Sequence, residues 1–536
     1  MAAAMLNRTG RNDGKDESFD AVIIGSGAGG APLAARLAEA GVSVLVLEAG
    51  RTFTPDDHLA DELATDIYWM EERLSGGQTP TAFGANNSGQ GVGGSTLHWG
   101  AFCPRPDPRD LRLRSLTGQG ADWPIANAEL LAYVQRVEAF IGVSGPAHYP
   151  WDPARRYGYP PVLRNASAQA MQRGCDALGI IATDAPAALV SQARQQAHWG
   201  VRQACNHCGA CHQGCSNGAK ASMDTSWLPW ATAHGAVIRD QSRVVDLERD
   251  ALGRISAVVY QREHRLHRVK CSAAFLCAGG VETPRLLLNL GLANSSGQVG
   301  RNFMAHVATQ VWGFFDADMC MNRGYPSSLI TEDFVRPHDA SFAGGYLVQS
   351  LGVQPATLAN TLARGAGLWG QPLVDALSSY RHLAGIGING ECLPQEGNQL
   401  TLSDERDAFG MRRARVDFSY GRNETALDAH AQAALTRIWE AAGATGIFTA
   451  ARSAHTLGTC RMGDSAETAV VDSDGRSFDI PNLFICDNSI FPSALAANPA
   501  LTQMALGLRT AERFLQTLPP RSTTSSPTKD TSWISE

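Results

Sequence analysis

Four of the twelve cysteines lie close together, at the spacing C-x2-C-x2-C-x3-C. Thiolates are soft metal ligands, and bacterial ferredoxins use this spacing to wrap an iron–sulfur cluster. The run departs from the ferredoxin pattern because Ser216, rather than proline, follows the last cysteine. A zinc ion is a second hypothesis, although structural zinc sites usually separate two ligand pairs by a longer gap. Free thiols in a loop are the third. The candidate metal ligands are Cys205, Cys208, Cys211 and Cys215.

The residues from 20 to 50 have the spacing of a dinucleotide-binding site. Gly25, Gly27 and Gly30 follow the pattern G-x-G-x-x-G, and Glu48 comes about 20 residues later. The first glycine permits a tight turn, the second lets the backbone approach a pyrophosphate, and the third lets a helix pack against a strand. The acid can accept hydrogen bonds from a ribose diol. The predicted cofactor-binding residues of this segment are Gly25, Ser26, Gly27, Ala28, Gly29, Gly30, Glu48 and Ala49.

A strand–helix–strand unit is needed to position these residues. The apolar run from Ala21 to Ile24 predicts a buried strand, a helix-length stretch ends near Gly41, and a second apolar strand over 42–47 leads to the acid. The helix N-terminus offers free N–H groups and the positive end of its dipole to phosphates. This order predicts a dinucleotide site, but it does not separate FAD from NAD.

Length and composition exclude several classes of protein. At 536 residues the chain is too long for one compact core, so we expect two or more domains. The formal net charge of −7 gives no electrostatic footprint for nucleic acid, and no polybasic segment is present for acidic lipid. No apolar run reaches membrane-spanning length, so we expect no transmembrane segment. We therefore expect a small-molecule partner, and the polar N-terminus predicts a cytoplasmic protein.

A second glycine-rich segment, GQGVGGSTLHWG over 89–100, indicates backbone packed against a flat or bulky partner. With the first segment, it resembles the glucose–methanol–choline (GMC) family of FAD-dependent alcohol oxidoreductases, in which this loop lies along the isoalloxazine ring. His98 falls where some members carry a histidine bonded covalently to the flavin. A histidine that only packs beside the flavin is the favoured alternative.

The resemblance covers nearly the whole chain apart from its two tails. A glycine-rich strand end at 277–280, followed by a helix, corresponds to a family signature over the FAD. The segment VGRNFMAH ends in His306, for which we expect a structural role. The resemblance implies further cofactor contacts from Gly93, Gly94, Ser95, His98, Trp99, Val244, Ala278, Gly279, Asp487, Asn488, Asn498, Pro499 and Ala500.

The catalytic residues also follow from the resemblance, because any one of the fourteen histidines taken alone is more often structural. His455, in HTLGTCRMG, matches the family's active-site histidine, and Asn498, in NPALT, stands where members have a second histidine or an asparagine. The resemblance implies oxidation of a primary or secondary alcohol to an aldehyde or ketone. In that reaction His455 takes the hydroxyl proton, a hydride passes to flavin N5, and Asn498 donates to the developing alkoxide.

The cysteines have two comparisons within the family. Cys205, Cys211 and Cys215 match the ligands of a three-iron cluster in dehydrogenases that pass electrons to a cytochrome. The whole segment is more similar to long-chain alcohol oxidases, which carry clustered cysteines without an established cluster. We expect a dehydrogenase. If the cysteines hold a cluster, electrons would leave through it to a quinone, a cytochrome or a partner subunit, and such a partner could hold the protein at a membrane surface. The alternatives are a long-chain alcohol oxidase using dioxygen and a hydroxynitrile-lyase-like enzyme with structural FAD.

The implied architecture is α/β. A discontinuous FAD-binding domain with a Rossmann-like parallel sheet covers 18–105, 224–310 and 452–518. An α+β substrate domain with an antiparallel sheet covers 106–223, which includes the cysteine-rich loop 204–220, and 311–451. Residues 236–276 are expected to form a β-meander, and residues within 310–450 should shape the substrate pocket. The arm 1–17 and the tail 519–536 are predicted to be disordered.

Overall fold

The computed structural model describes residues 17–63, 73–78, 88–338 and 340–519. The predicted disordered arm and tail, apart from Glu17 and Pro519, lie outside these ranges. The strands are β1 (Ser18–Ile24), β2 (Val44–Leu47), β3 (Arg73–Gly76), β4 (Thr183–Asp184), β5 (Arg194–Gln196), β6 (Gly200–Arg202), β7 (Val237–Arg239), β8 (Arg243–Arg249), β9 (Ile255–Arg262), β10 (Arg265–Leu276), β11 (Met304–Val307), β12 (Gln310–Phe314), β13 (Leu329–Thr331), β14 (Tyr346–Leu351), β15 (Leu383–Gly390), β16 (Gln399–Arg406), β17 (Arg412–Asp417), β18 (Thr445–Ala450), β19 (Ser453–Leu457) and β20 (Leu483–Ile485).

The helices connect and cover these strands. They are α1 (Gly30–Glu39), α2 (Leu113–Thr117), α3 (Asn127–Ile141), α4 (Ala166–Leu178), α5 (Trp227–Ala233), α6 (Gly279–Leu290), α7 (Pro355–Gly365), α8 (Gln371–Ser378), α9 (Arg422–Ala441) and α10 (Pro499–Thr517). No helix within the described ranges has the length and apolar character that a membrane crossing requires.

The first sheet has the order β7-β2-β1-β10-β9-β8, and β20 pairs with β10. Strands β7, β2, β1, β10 and β20 run parallel, with Ala21 opposite Val44 and Ala273. The apolar residues of β1 and β2 are buried, as expected for strands covered on both faces. The α/β fold with a Rossmann-like parallel sheet is therefore confirmed.

The predicted meander over 236–276 is wrong in one strand. β7 pairs in parallel with β2, because α5 precedes it and returns the chain across the sheet. The antiparallel meander consists of β8, β9 and β10. The sequence analysis missed β8, which is short, half-buried and rich in charged residues.

The second sheet is antiparallel and has the order β18-β12-β15-β14-β13-β4. Strand β11 joins it through β15 and also pairs with β19. On one face, Val311, Ile386 and Ile388 form a buried cluster with Leu435 and Trp439 of α9. Residues that alternate with these therefore point to the other face. The division of the chain into two domains at the predicted boundaries stays a prediction.

Candidate active site

A cavity of about 430 Å³ is lined by residues of both large sheets and of the loops that follow their strands. It brings together residues from the two ends of the chain, including Gly25 near the start and His455 near the end. Of the predicted cofactor-binding and catalytic residues, all but Gly30 and Gly93 line it. The segments chosen from the sequence therefore meet at one place in the fold.

The three glycines of the first motif have different surroundings. Gly25 has a φ of +104°, and a Cβ there would lie 2.4 Å from the carbonyl oxygen of Cys277. A Cβ on Gly30 would lie 2.1 Å from the Gly25 oxygen, so this position lets α1 pack closely against the strand end. A Cβ on Gly27 would have Gly94 Cα as its nearest neighbour, at 3.7 Å. Only the middle glycine therefore has space in front of it, and that space belongs to the cavity.

Glu48 accepts hydrogen bonds from the first glycine loop. Its Oε2 accepts hydrogen bonds from the backbone N–H of Ser26 at 3.1 Å and from the Ser26 hydroxyl at 2.7 Å. Its Oε1 accepts from the N–H of Gly50 at 2.9 Å. Burial raises the pKa of Glu48, and these hydrogen bonds oppose that rise. The Ser26 hydroxyl also accepts from the Gly93 N–H at 3.0 Å, so Gly93 fixes the two glycine loops together although it does not line the cavity.

Asp487 and Asn488 hold the start of α6. Asp487 Oδ2 accepts from the N–H of Gly279 at 2.9 Å and from the Thr283 hydroxyl at 2.6 Å, and Asn488 Oδ1 accepts from the N–H of Gly280 at 3.0 Å. A carboxylate at a helix N-terminus is stabilised by the helix dipole. The end of β20 and the glycine-rich turn at 277–280 therefore form one wall of the cavity.

The glycine-lined part of the cavity fits a dinucleotide. Gln503 of α10 is 4% exposed and lines the cavity next to Gly29, yet neither end of its amide has a hydrogen-bond partner among the described residues. A buried amide is normally satisfied, so this group is suited to a polar ligand. The open N–H groups at the start of α1 are suited to phosphates. The residues present therefore match the donor set that a bound FAD requires.

His455 is placed by an irregularity in strand pairing. In the β11–β19 pair, Ala305 lies opposite Thr456 but His306 lies opposite Ala454, so His455 is the extra residue of a β-bulge. It has a φ of +59°, which is uncommon for a residue other than glycine. The bulge directs the ring to Asn498, whose Nδ2 lies 3.4 Å from His455 Nε2. The structure thus brings the two predicted catalytic residues together.

His306 determines the tautomer of His455. The Nε2 of His306 lies 3.1 Å from the Ala494 oxygen and 2.8 Å from the Leu495 oxygen. Because a carbonyl oxygen only accepts, His306 Nε2 carries a proton. Burial lowers the pKa of His306 to about 4, so at neutral pH its Nδ1 has a lone pair. His455 Nδ1 lies 2.9 Å from that lone pair and must donate, which leaves the lone pair of His455 on Nε2 beside Asn498.

His306 is thus in direct contact with the candidate base. The sequence had indicated only a structural role for His306 and did not predict this contact. Burial also lowers the pKa of His455 well below its ordinary value, and electrostatic interactions with His306 and with the Arg452 guanidinium lower it further. The ring is therefore neutral at neutral pH and can accept a proton at Nε2. Burial similarly lowers the pKa of His98 to about 3, so this ring beside the second glycine loop is neutral too.

The four clustered cysteines line a separate small cavity. Cys208 is exposed and Cys211 is buried, while Cys205 and Cys215 are half-buried. Burial raises the pKa of the Cys205 thiol to about 11. Among the described residues, no group of three or more histidine, cysteine, aspartate or glutamate side chains is arranged to hold a metal ion. The iron–sulfur and zinc hypotheses are therefore not supported.

The cysteine-rich loop has a structural connection to the main cavity. Lys220 is completely buried, and its Nζ donates to the oxygens of Cys211 at 2.6 Å, Leu97 at 2.8 Å and Trp99 at 3.3 Å. His212 Nδ1 lies 2.9 Å from the His98 oxygen, and the His212 ring lines the cavity. The loop therefore holds the second glycine-rich segment in place from behind.

Several cavity residues were not identified from the sequence. They line the same cavity as His455 and are His212, Gln310, Gln349, Asn389 and Arg452. Three of these lie within 310–450, where the substrate pocket was expected, but amides and arginines are too common in a sequence for residue type alone to select them. Selecting them would have required the register of the strands that carry them.

The chain is similar to known oxidoreductases over nearly its whole length. The two domain models described as GMC oxidoreductase match residues 20–308 and 394–507. The chain is 29% identical to a 2-methyl-1,2-propanediol dehydrogenase of Mycolicibacterium austroafricanum, over 95% of this chain and 98% of that protein. It is 30% identical to the fructose dehydrogenase large subunit of Gluconobacter japonicus, over 94% of this chain and 98% of the relative.

A similar fold occurs among solved structures. The pyridoxine 4-oxidase from Mesorbium loti superposes with a TM-score of 0.65 at 19% identity, covering 94% of this chain and all (100%) of that one. The first domain model alone matches more than half of the chain, and the dinucleotide segment, both glycine loops and His455 lie within the two matched ranges. The chain therefore belongs to the GMC oxidoreductase family and is an oxidoreductase.

Proposed function

We propose that this protein uses FAD to oxidise an alcohol to an aldehyde or ketone, with His455 as the base. The observation that carries the proposal is the distance of 3.4 Å between His455 Nε2 and Asn498 Nδ2, at a cavity that the glycine loops also line. A neutral imidazole with a free ring nitrogen is what proton removal from a hydroxyl requires.

FAD would be held by the glycine loop and Glu48 at one end and by the segments around His98 and Asp487 at the other. When bound, it supplies the acceptor for the hydride that leaves the alcohol carbon. His455 and Asn498 are half-buried where they face the cavity.

Two side chains, Asn498 and His455, act on the alcohol oxygen and its proton. Asn498 Nδ2 donates to the alcohol oxygen and orients it, and this donation strengthens as negative charge develops. His455 Nε2 takes the hydroxyl proton, and the positive charge that forms on the ring is shared with His306 through the Nδ1–Nδ1 hydrogen bond of 2.9 Å. Correct orientation of the C–H bond is worth several kcal/mol in principle.

The test is anaerobic flavin reduction by an alcohol in the His455→Ala variant. Loss of a general base typically costs about 10²–10⁴-fold in rate, so flavin bleaching should slow by that factor while the FAD content is unchanged. His264→Ala, at an exposed turn, is the matched control and should reduce normally. Reduction of the His455→Ala flavin at the parental rate would show that the base is another group.

We also propose that the electrons go to an acceptor other than dioxygen. The support is the presence of two dehydrogenases among the relatives at 29% and 30% identity. Because the described cysteines form no metal-holding group, this proposal does not route electrons through them. Reduced enzyme mixed with air in a stopped-flow instrument should reoxidise slowly, whereas fast reoxidation would identify an oxidase.

A further inference from the structure

The cavity has a floor made of one face of the antiparallel sheet. Gln310 of β12 lies directly opposite Gly387 of β15, and Gly387 lies directly opposite Gln349 of β14. Residues that are opposite in antiparallel strands share a face, and so do residues two apart along a strand. Asn389 follows Gly387 by two residues and therefore points the same way. All four residues line the cavity.

The amides on this floor are only partly satisfied by the described part of the protein. The Oε1 atoms of Gln310 and Gln349 and the Nδ2 of Asn389 are buried, and none has a hydrogen-bond partner within the described ranges of the chain. Gln310 is 5% exposed and Asn389 is 2% exposed. A buried amide left unpaired costs about 1–3 kcal/mol. Three such groups on one face of a cavity indicate a ligand rich in hydrogen-bonding groups.

Gly387 keeps the space between the two glutamines open. A Cβ at this position would lie 3.1 Å from Leu351 Cδ1 and 3.4 Å from Gln310 Cγ. Any side chain would therefore rise between Gln310 and Gln349 and cover the middle of the floor. The glycine leaves a recess with an amide on each side, which suits a compact ligand that lies across the strands.

The floor and the candidate base belong to the same sheet. His455 is on β19, which pairs with β11, and β11 pairs with β15, the strand that carries Gly387 and Asn389. A molecule with one hydroxyl at His455 can therefore extend over the three amides. Hydroxyl groups can replace the hydrogen bonds that water makes to these amides, but an alkyl chain cannot.

We infer that the substrate is a polyhydroxylated alcohol, a polyol or a sugar, whose further hydroxyl groups are bound by Gln310, Gln349 and Asn389. This inference rests on the proposed alcohol oxidation, and it goes beyond it by naming the substrate class. It excludes long-chain aliphatic alcohols as the preferred substrates, because their chains would leave three buried amides unpaired.

The experiment compares alcohols of equal carbon number with the holoenzyme. Anaerobic flavin reduction is followed with a panel of hexitols and hexoses, with 1,2-hexanediol and with 1-hexanol. The second-order rate constant for the best polyhydroxylated substrate should exceed that for 1-hexanol by at least about 100-fold, the factor expected when two or more buried amides lose their partners. If 1-hexanol or a longer alkanol reacts as fast as every polyol, the substrate inference is wrong while the alcohol oxidation stands. If no alcohol reduces the flavin, both are wrong.

Variants of the floor give an independent measure. Gln349→Leu and Asn389→Leu keep the approximate size of the side chain but remove the amide. Each should lower the ratio of the rate constant for the best polyol to that for 1-hexanol by at least about 10-fold. Gln516→Leu, on the exposed side of α10, is the matched control and should change neither.

Binding without turnover separates recognition from chemistry. In the His455→Ala holoenzyme the polyol should still bind, and calorimetric titration should give a dissociation constant that Gln349→Leu raises by at least about 10-fold. The visible spectrum of each variant checks that FAD is retained. Equal affinity with and without the Gln349 amide would overturn the assignment of the floor as the polyol site.

Discussion

At the scale of single residues, the two histidines His306 and His455 act as one unit. His306 is anchored to the backbone oxygens of Ala494 and Leu495, so its own tautomer cannot change without breaking those bonds. The tautomer of His455 is fixed in turn, and the reactive nitrogen is kept toward Asn498. His306 is therefore a positioning residue, since the groups it contacts are another side chain and the backbone.

The first prediction concerns His306. In His306→Leu the partner of His455 Nδ1 is lost, so the ring can adopt the wrong tautomer, and the rate of flavin reduction should fall by roughly 10–100-fold. His306→Asn places a carboxamide oxygen near the same position and should recover part of the rate. Stopped-flow reduction with a saturating alcohol measures both. A structural role alone would lower the yield or stability of the variants without this difference between leucine and asparagine.

The pH profile provides the control for this prediction. Because burial lowers the pKa of His455 below 6.5, its ring stays unprotonated as the pH falls from 8 through 6.5. The rate of flavin reduction in the parent protein should therefore be flat over this window and decline only at lower pH. An acidic limb centred at or above pH 6.5 in the parent would contradict both the burial of His455 and its role as the base.

At the scale of elements, the residues of the site lie at the ends of strands and helices. Some of these elements could be predicted from the sequence and others could not. The β1–α1–β2 unit followed from its glycines and apolar runs, because its strands are buried on both faces. The bulge at His455 could not be predicted, since the five residues of β19 show no regular apolar–polar alternation that would reveal a shift in register. The amides at Gln310 and Gln349 were missed because they become neighbours only through the register of β12, β15 and β14.

The second prediction separates cofactor binding from folding within the first glycine motif. Gly27→Val adds a side chain whose Cβ is in ordinary van der Waals contact with Gly94 Cα, at 3.7 Å, and otherwise faces the cavity. FAD content should therefore fall at least about 10-fold, while the free energy of unfolding of the apoprotein changes by less than about 1 kcal/mol. Gly30→Val places its Cβ 2.1 Å from the Gly25 oxygen and should instead prevent stable folding. The ratio of absorbance at the flavin and protein bands, with urea unfolding, measures both effects. Full FAD content in Gly27→Val would show that the cofactor lies elsewhere.

At the scale of the whole molecule, segments distant in sequence are joined by a few buried polar contacts. Ser26 and Glu48 connect the first glycine loop to the second through Gly93. The cysteine-rich loop supports the second glycine loop through Lys220. The overall family architecture followed from the order of motifs, but these connections depend on side-chain positions that no single segment specifies.

The third prediction tests the support from Lys220. Lys220→Met removes three hydrogen bonds and leaves buried carbonyl oxygens unpaired, so the free energy of unfolding should fall by about 2–4 kcal/mol. The loop over 94–100 should loosen, and FAD should dissociate at a lower urea concentration than the protein unfolds. Lys270→Met, at an exposed strand position, is the matched control and should leave both midpoints unchanged. Coincident midpoints in Lys220→Met would argue against this support.

The hydrogen shared by the two imidazoles has a spectroscopic consequence. It is held between nitrogens 2.9 Å apart, one on the buried His306 ring and one on the half-buried His455 ring, so its exchange with solvent requires the hydrogen bond between the rings to open. Such a hydrogen should give a downfield proton resonance in the magnetic resonance spectrum, resolved from the amide envelope. The lifetime of this resonance in deuterated buffer would measure how often the hydrogen bond between His306 and His455 opens to solvent.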